Sequence, residues 1–404
     1  MNFNPRVLKI GSEEDARAEL AKIGCDPLGI NIMSGKAVFQ TVKLENVPAK
    51  AANLLKQTFL AKGGEAAVAR GTADLTIAAT DVLVAATLKQ YRLALAQLKM
   101  QPWGLPQLAE AIEAALKAAE RLPERHYSWK DGRTLAIRPR HSVIMGILNI
   151  TPDSFSDGGK FNTLDKALRH AEQLVKDGAD IIDLGAESTR PYGAAKISAA
   201  EEEERLLPVL ARLLSAVPVP VSVDTYKASV ADEALRLGAH IINDVWGLQG
   251  DPAMAEVAAR HGVPVVVMHN QNGTVYERDI MAEIAAFLRK SIAIGENAGI
   301  PLEHILIDPG IGFGKTAADN LTVLSRLDEL AALGCPLLLG TSRKRFIGEA
   351  LGGLPPEDRG EGTAATVALG IAKGARILRV HDVKAMARVA RMTDAITQEV
   401  MTNG

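Results

Sequence analysis

From about residue 141 to its end, the chain alternates short apolar, β-branched runs with amphipathic stretches of ten or more residues. Strands that alternate with helices pair in parallel, because each helix returns the chain to the same edge of the sheet. Eight such repeats in about 260 residues are typical of a closed (β/α)₈ TIM barrel. An open, doubly wound sheet is the alternative, because strand order cannot be read from a sequence. The expected strands are residues 143–148, 181–184, 219–223, 240–242, 263–268, 305–307, 336–339 and 377–380.

Helices are expected between these strands and after the last of them. Their predicted ranges are 164–176, 199–216, 228–237, 252–259, 280–298, 318–333, 363–373 and 383–400. Residues 1–125 are assigned to a smaller N-terminal α/β domain, because they are rich in Ala and Leu and mostly helical in pattern. Helices are expected there at 53–62, 81–99 and 107–121, and short strands at 37–42 and 74–78. The segment from residue 122 to 133 is polar and rich in turn residues, so the domain boundary is placed there and the barrel domain at 138–404.

Each predicted strand is apolar until its C-terminal end, where it meets a polar residue. A parallel strand that is buried on both faces should be apolar throughout. In a barrel all these ends surround one mouth, which is where active sites of this fold lie. Short amide and carboxylate side chains there suit hydrogen bonding to a planar heterocycle. The polar residues are Asn149, Asp183, Asp224, Asn243, His269, Asp308, Ser342 and His381.

Composition excludes several classes of protein. The formal net charge of −2 offers no global attraction to nucleic acid or to an anionic membrane. Cys25 and Cys335 are too few and too far apart for a disulfide framework or a zinc cluster. No apolar run approaches about 18 residues, and the N-terminus lacks the apolar core of a signal peptide. A cytoplasmic protein is expected.

Three loops and a few local cations indicate an anion site. The loops are residues 149–159, 187–191 and 308–316, all rich in Gly, Ser or Thr. The third is not a phosphate-binding P-loop, because Pro309 stands where that motif needs its first Gly. Arg190, Lys344 and Arg379, brought to one barrel mouth, can neutralise a diphosphate.

Eight motifs, in order along residues 141–395, resemble the dihydropteroate synthase family of pterin-binding barrels. They are GILNITPDSFSDG from Gly146, DLGAESTRP from Asp183, SVDTYK from Ser222, INDV from Ile242, MH from Met268, DPGIGFGK from Asp308, SRK from Ser342 and RVHD from Arg379.

The resemblance implies a role for each matching residue. Asp224, Asn243, Asp308 and Lys344 would hydrogen-bond the pterin edge, with Met268 and Phe313 as apolar walls. Asn149 would meet Mg²⁺ and the diphosphate. The loops that hold the diphosphate and 4-aminobenzoate would contribute Phe155, Asp157, Thr189, Arg190, Pro191, Ser342, Arg379 and His381.

The implied reaction joins 6-hydroxymethyl-7,8-dihydropterin diphosphate to 4-aminobenzoate with loss of diphosphate, in an SN1-like displacement. Asp308, Lys344, Arg379, His381 and Asn149 would carry the chemistry. A homodimer is expected, and residues 1–120 resemble an extension found on some Firmicute-type enzymes. Two alternatives stay open: a methyltetrahydrofolate:corrinoid methyltransferase, and a non-catalytic pterin-binding protein. The N-terminal domain could itself serve dimerisation or partner binding.

Overall fold

The computed structural model describes residues 3–120, 124–150, 160–187 and 196–402. The chain divides into two compact units, Met1–Arg121 with Glu399–Gly404 and Leu122–Gln398. The division falls at the start of the polar segment 122–133. Each unit has a hydrophobic core of its own.

The first unit is a three-stranded antiparallel sheet covered by helices. Its strands are β1 Phe39–Pro48, β2 Glu65–Val68 and β3 Ala79–Thr87, in the order β1-β3-β2. Residues of β3 alternate between the core and the outer face, so that Val82 and Val84 pack beneath Phe59 and Tyr91. The helices are α1 Glu13–Lys22, α2 Pro27–Ala37, α3 Ala49–Ala61, α4 Leu88–Leu98 and α5 Leu105–Glu120.

Two predictions for this unit are wrong. The stretch 81–99 was expected as one helix, but its first part belongs to β3, where successive residues alternate between buried and more exposed positions with the period of two of a strand. The helix begins only after Thr87, whose side chain and that of Gln90 form a capping box. The strand expected at 74–78 is instead the turn that precedes β3.

The second unit is a closed parallel barrel of eight strands, which confirms the predicted fold class. Each strand pairs with its neighbours in sequence, and the last pairs with the first. The barrel strands are β6 Val143–Asn149, β7 Ile181–Gly185, β8 Val221–Asp224, β9 Ile241–Asp244, β10 Val265–Met268, β11 Ile305–Asp308, β12 Leu337–Leu339 and β13 Ala375–Val380.

The helices of the barrel bury their apolar faces against the outside of these strands. The stretch 318–333, expected as one helix, is a helix followed by a separate 3₁₀ segment, Leu327–Leu333. The described helices are α6 Lys160–Lys176, α7 Ala199–Ala216, α8 Ala228–Leu237, α9 Met254–His261, α10 Ile280–Asn297, α11 Ala317–Ser325, α12 Arg345–Ala350, α13 Gly360–Ala372 and α14 Val383–Thr402. Within the described residues no helix is long and apolar enough to cross a membrane.

A hairpin closes the end of the barrel where the strands begin. It consists of β4 Arg125–Ser128 and β5 Thr134–Ile137, and the sequence analysis did not predict it. Its residues Tyr127, Leu135 and Ile137 pack in one cluster with the innermost apolar residues of the strands. The Tyr127 hydroxyl donates to the backbone oxygen of Glu303 at 2.7 Å. Access to the barrel interior is therefore from the opposite end, where the strands finish.

Candidate active site

The polar residues of the site form the layer directly above this apolar floor. Side chains of a strand alternate, so the residue two positions after an inward apolar residue also points inward. Asp183, Asn243, Asp308 and Arg379 each stand two positions after a member of the floor cluster. The floor residues that precede them are Ile181, Ile241, Leu306 and Ile377.

Arg379 links three of these strands. Its Nε donates to Asp183 Oδ2 and its Nη2 donates to Asp224 Oδ2, both at 2.6 Å. The side-chain amide of Asn243 donates to the same Asp183 oxygen at 3.2 Å. Burial opposes a charge on the guanidinium, but Asp183 and Asp224 outweigh it and raise the pKa of Arg379. Burial also raises the pKa of Asp224 to about 7, even though Arg379 acts against it.

Two carboxylate oxygens of this network have no hydrogen-bond partner among the described residues. Oδ1 of Asp183 and Oδ1 of Asp224 are buried and accept no hydrogen bond from the described residues. A buried carboxylate oxygen left without a donor costs free energy, so a donor supplied by a bound ligand would stabilise both carboxylates.

Lys344 and Asp308 add two charged groups at the same end of the barrel. The Lys344 ammonium donates to the Ile311 backbone oxygen and lies 4.7 Å from the centre of the Phe313 ring. Asp308 Oδ1 accepts the Gly310 N–H at 2.7 Å. Burial lowers the pKa of Lys344 to about 8, partly offset by Asp308, and burial raises the pKa of Asp308. Both charges are thus held in a poorly solvated place.

A second lysine, Lys315, holds the glycine-rich loop 308–316 through its backbone oxygens. Lys315 is buried and donates to the backbone oxygens of Gly310 and Phe313, both at 3.0 Å. It also lies 2.9 Å from Nδ1 of His269. Burial lowers the pKa of His269 to about 3, so this imidazole is neutral and accepts the bond. The loop that carries the Phe313 wall is therefore held by Lys344 on one side and by Lys315 on the other.

The remaining predicted residues at the strand ends lie around the same mouth. Ser342 Oγ accepts the His381 backbone N–H at 3.1 Å and lies 3.0 Å from its Nδ1, which orients the imidazole. Asn149 Oδ1 and the Asp224 Cβ lie 3.3 Å and 3.5 Å from the point where a side chain on Gly185 would begin. Because Gly185 has no side chain, the Asn149 amide reaches the Asp224 side of the pocket.

The structure thus gathers Asn149, Asp224, Asn243, Met268, Asp308, Phe313, Ser342, Lys344, Arg379 and His381 at one end of one barrel. The other five predicted residues, Phe155, Asp157, Thr189, Arg190 and Pro191, lie outside the described residues.

Sequence reasoning placed Asp183 and His269 at strand ends without giving them a role in the site, and it gave none to Lys315. Asp183 was predicted only to end a strand. Because it stands two residues after the inward-facing Ile181, the alternation of the strand could have placed its side chain in the barrel interior. No signal of this kind exists for Lys315, because its burial depends on the path of a loop that sequence does not determine.

The profile of one protein family, the pterin binding enzymes, matches residues 145–381, which is more than half of the chain. A dihydropteroate synthase of Bacillus subtilis (strain 168) is 56% identical over 255 residues, which cover 63% of this chain and 88% of that enzyme. The chain belongs to the dihydropteroate synthase family of pterin-binding enzymes. The family predicted from the eight motifs is confirmed.

Solved structures of dihydropteroate synthases agree with this assignment. One from Clostridium difficile, determined in the presence of pteroic acid, is 52% identical, has a TM-score of 0.62, and is matched over 97% of its length and 64% of this chain. One from Xanthomonas albilineans, determined with 4-aminobenzoic acid, is 42% identical, has a TM-score of 0.64, and is matched over 99% of its length and 69% of this chain. Members of this family are transferases, so the predicted enzyme class is confirmed as well.

Proposed function

We propose that the chain synthesises 7,8-dihydropteroate by joining a dihydropterin diphosphate to 4-aminobenzoate. One observation carries the proposal: a layer of planar polar groups, with two buried carboxylate oxygens that lack a partner among the described residues, lies with the cations of Arg379 and Lys344 in a barrel closed at its other end. Such a layer matches a heterocycle that presents several N–H donors in one plane. Structures of family members were determined in the presence of pteroic acid and with 4-aminobenzoic acid.

The pterin ring would bind deepest, against the polar layer. Asp224 and Asp308 would accept from its N–H groups, and Asn243 and Lys344 would meet its acceptors. Asp183 would keep the Arg379 guanidinium and the Asn243 amide in place, because one of its oxygens accepts from both. Met268 lies at the end of β10 and Phe313 under the Lys344 ammonium, so both are placed as apolar walls.

The diphosphate would lie toward the mouth, above the pterin. Arg379 uses Nε and Nη2 for the two aspartates, and its third nitrogen, Nη1, is the one we assign to the diphosphate. His381, oriented by Ser342, would donate to the same group. Charge-assisted bonds of this kind favour the departing diphosphate as the carbon–oxygen bond breaks.

Mg²⁺ fits this site as an ion shared between the protein and the diphosphate. Within the described residues no group of three or more His, Cys, Asp or Glu side chains could hold a metal by itself. Mg²⁺ commonly keeps waters and binds substrate phosphates together with one or two protein oxygens. Asn149 Oδ1, with room above Gly185, is the oxygen we assign to it. When bound, the ion supplies positive charge that neutralises the diphosphate.

The arylamine would enter last, from the mouth, because the hairpin closes the other end. Its nitrogen forms a bond to the pterin methylene carbon, diphosphate leaves with the electrons of the broken carbon–oxygen bond, and the amine loses one proton to solvent. An aromatic amine is neutral at pH 7 and needs no strong base. Asp308 would stabilise the positive charge that develops on the methylene carbon.

The test is a direct assay with purified protein, dihydropterin diphosphate, 4-aminobenzoate and Mg²⁺. Dihydropteroate and diphosphate should form in equal amounts, and omission of the arylamine should abolish dihydropteroate. A protein that instead moves a methyl group from methyltetrahydrofolate to a corrinoid, or binds pterin without turnover, would contradict the proposal.

The assembly and the compartment are also proposals. We infer a homodimer, which light scattering would report as twice the chain mass of 43.0 kDa. We infer a cytoplasmic location, supported by the free thiols of Cys25 and Cys335, since unpaired cysteines suit a reducing compartment.

A further inference from the structure

An arginine stands at a backbone position that glycine or asparagine usually occupies. Arg343 lies in the turn Thr341–Lys344, which is closed by a bond from the Lys344 N–H to the Thr341 oxygen at 3.2 Å. Its φ is +57°, in the left-handed region that a residue with a long side chain rarely adopts. Such a conformation persists only where the surrounding structure fixes it, and residues of this kind cluster at functional sites.

The backbone of Arg343 is held on both sides by residues at the start of α13. Its N–H donates to Thr363 Oγ1 at 3.1 Å, and its oxygen accepts from Arg359 Nη1 at 2.9 Å. Thr363 is fully buried, and Arg359 directly precedes α13. Arg359 Nε also donates to the Leu354 oxygen at 2.9 Å. These bonds fix the turn, so the residues on either side of Arg343 have a defined direction.

The two neighbours of Arg343 in the chain both belong to the candidate site. Ser342 Oγ accepts the His381 N–H and lies beside the Nδ1 of that ring, and the Lys344 ammonium lies over Phe313. In the proposed function Lys344 meets the pterin and His381 meets the diphosphate. The turn therefore connects the contact for one half of the first substrate with the contact for the other half.

The side chain of Arg343 binds the residue that follows His381. Its Nε donates to Asp382 Oδ2 at 2.9 Å, and its Nη2 donates to Asp382 Oδ1. Two parallel bonds of this kind fix both the position and the orientation of a carboxylate. The pair lies next to the bond between Ser342 and His381, so two successive residues beyond β12 are tied to two successive residues beyond β13.

The place of this pair suits it to fixing local geometry more than to stabilising the fold. The side chains of Arg343 and Asp382 are 39% and 35% exposed, and ion pairs that water reaches add little to the free energy of unfolding. Without the pair, the barrel should stay folded while the two loops move relative to each other. A ligand that contacts both loops must then order them as it binds, whereas a ligand that contacts one loop loses little affinity.

We propose that Arg343 is a positioning residue for the pterin diphosphate, acting through Asp382 to keep the contacts of Lys344 and His381 at a fixed separation. This inference rests on the proposed function. It predicts that loss of the pair weakens binding of the pterin diphosphate, which spans both contacts. Binding of 6-hydroxymethyl-7,8-dihydropterin, which lacks the diphosphate and reaches only Lys344, should hardly change.

The test compares Arg343→Asn, Asp382→Asn and the double variant with the wild type in the full-length protein. Asn suits both positions, because it adopts the left-handed backbone readily and serves before a helix as well as Asp does. Calorimetry with Mg²⁺ present gives the Kd of each pterin. In each single variant we expect the Kd of the pterin diphosphate to rise at least about fivefold and that of the hydroxymethyl pterin to stay within about twofold. The double variant should add less than about twofold to the larger single loss, because the two residues act as one unit.

Arg326→Asn is the matched control for the loss of an arginine–carboxylate pair. Arg326 donates through two nitrogens to the carboxylate of Asp279, and both side chains are 35% exposed. This variant should change neither Kd. If Arg343→Asn does not fold by thermal melting, Asp382→Asn, which keeps the shape of the side chain, carries the same comparison of the two pterins.

Three results would overturn the role of Arg343. Equal losses for both pterins would show a general disturbance of the pocket. Losses that multiply in the double variant would show that Arg343 acts apart from Asp382, and unchanged affinity for the pterin diphosphate would show that the pair has no part in binding. A wild-type protein that makes no dihydropteroate would instead refute the proposed function, and the inference with it.

Discussion

Asp308 and Lys344 are the residues on which pterin binding should depend most. Each is a charged group held where water reaches poorly, and each stabilises the charge of the other. We expect Asp308→Ala and Lys344→Ala each to lower kcat/KM at least about 100-fold, which corresponds to about 2.7 kcal/mol. Steady-state kinetics with Lys373→Ala as the surface control would measure this. A loss below tenfold in both variants would contradict the pocket assignment.

The charge of Lys344 should also set the alkaline limit of activity. Burial lowers the pKa of Lys344 to about 8, so the free enzyme loses this ammonium as the pH rises above that value. Lys315 has its pKa lowered further, to about 7, so its titration would fall earlier. We expect kcat/KM for the pterin diphosphate to decline above about pH 8, because the kcat/KM profile reports groups of the free enzyme. A profile between pH 6 and 10 would show this decline in wild type but not in Lys344→Met, and an unchanged decline in the variant would assign it elsewhere.

At the scale of elements, the rigidity of the glycine-rich loop after β11 can be tested by substituting one glycine. Gly310 has φ +68°, and a Cβ added there would lie 1.9 Å from the backbone oxygen of His269. Gly352 also has a positive φ, +83°, but a Cβ there would meet nothing within 4 Å. We expect Gly352→Ala to cost about 1–2 kcal/mol for the left-handed backbone alone. Gly310→Ala should cost about 1–3 kcal/mol more from overpacking and should also weaken pterin binding.

Urea unfolding of the two glycine variants separates these contributions, and calorimetry gives the pterin Kd. Equal destabilisation by the two substitutions, with pterin affinity unchanged in both, would show that the loop tolerates displacement. The loop would then not be the rigid wall that its two lysines indicate.

The barrel elements could be predicted from sequence because their pattern repeats eight times. Because the same pattern of strand and helix recurs, an error of two residues at the start of the strand at Val221, or of one residue at Ile241, does not change the topology. The N-terminal unit has no such repetition, and a short apolar run there fits a helix or a strand equally well. The hairpin Arg125–Ile137 was missed because its polar, turn-rich sequence resembles a linker, and only the barrel floor gives its apolar residues a partner.

The same distinction applies to the site. Residues at strand ends, such as Asn243 and Asp308, were predictable because the fold alone brings them to one mouth. The ion pairs of Lys227 were not predictable, because Glu187 follows the end of β7 and Glu202 belongs to α7, and nothing in the spacing of these residues signals their contact. The sequence is therefore enough to predict the site residues that lie at strand ends, whereas contacts made by residues in loops can be known only from the structure.

At the scale of the whole molecule, the site belongs to the barrel unit alone. All ten described site residues lie within Leu122–Gln398, and the core of that unit is built from its own strands, helices and hairpin. The alignment with the Bacillus subtilis enzyme covers 88% of that enzyme but only 63% of this chain. Most of the residues left unaligned therefore belong to this chain. These facts separate the chemistry of the barrel from whatever the first unit does.

Removal of residues 1–121 should therefore leave catalysis intact. We expect the shortened chain, which keeps the hairpin from Arg125 onward, to retain kcat/KM within about threefold of the full-length protein. The measurement is the dihydropteroate assay on both chains, with light scattering of each to show whether the first unit determines the oligomeric state. A folded, shortened chain with activity reduced more than tenfold would give the first unit a part in catalysis. Addition of residues 1–121 as a separate polypeptide would then show whether that part requires covalent connection.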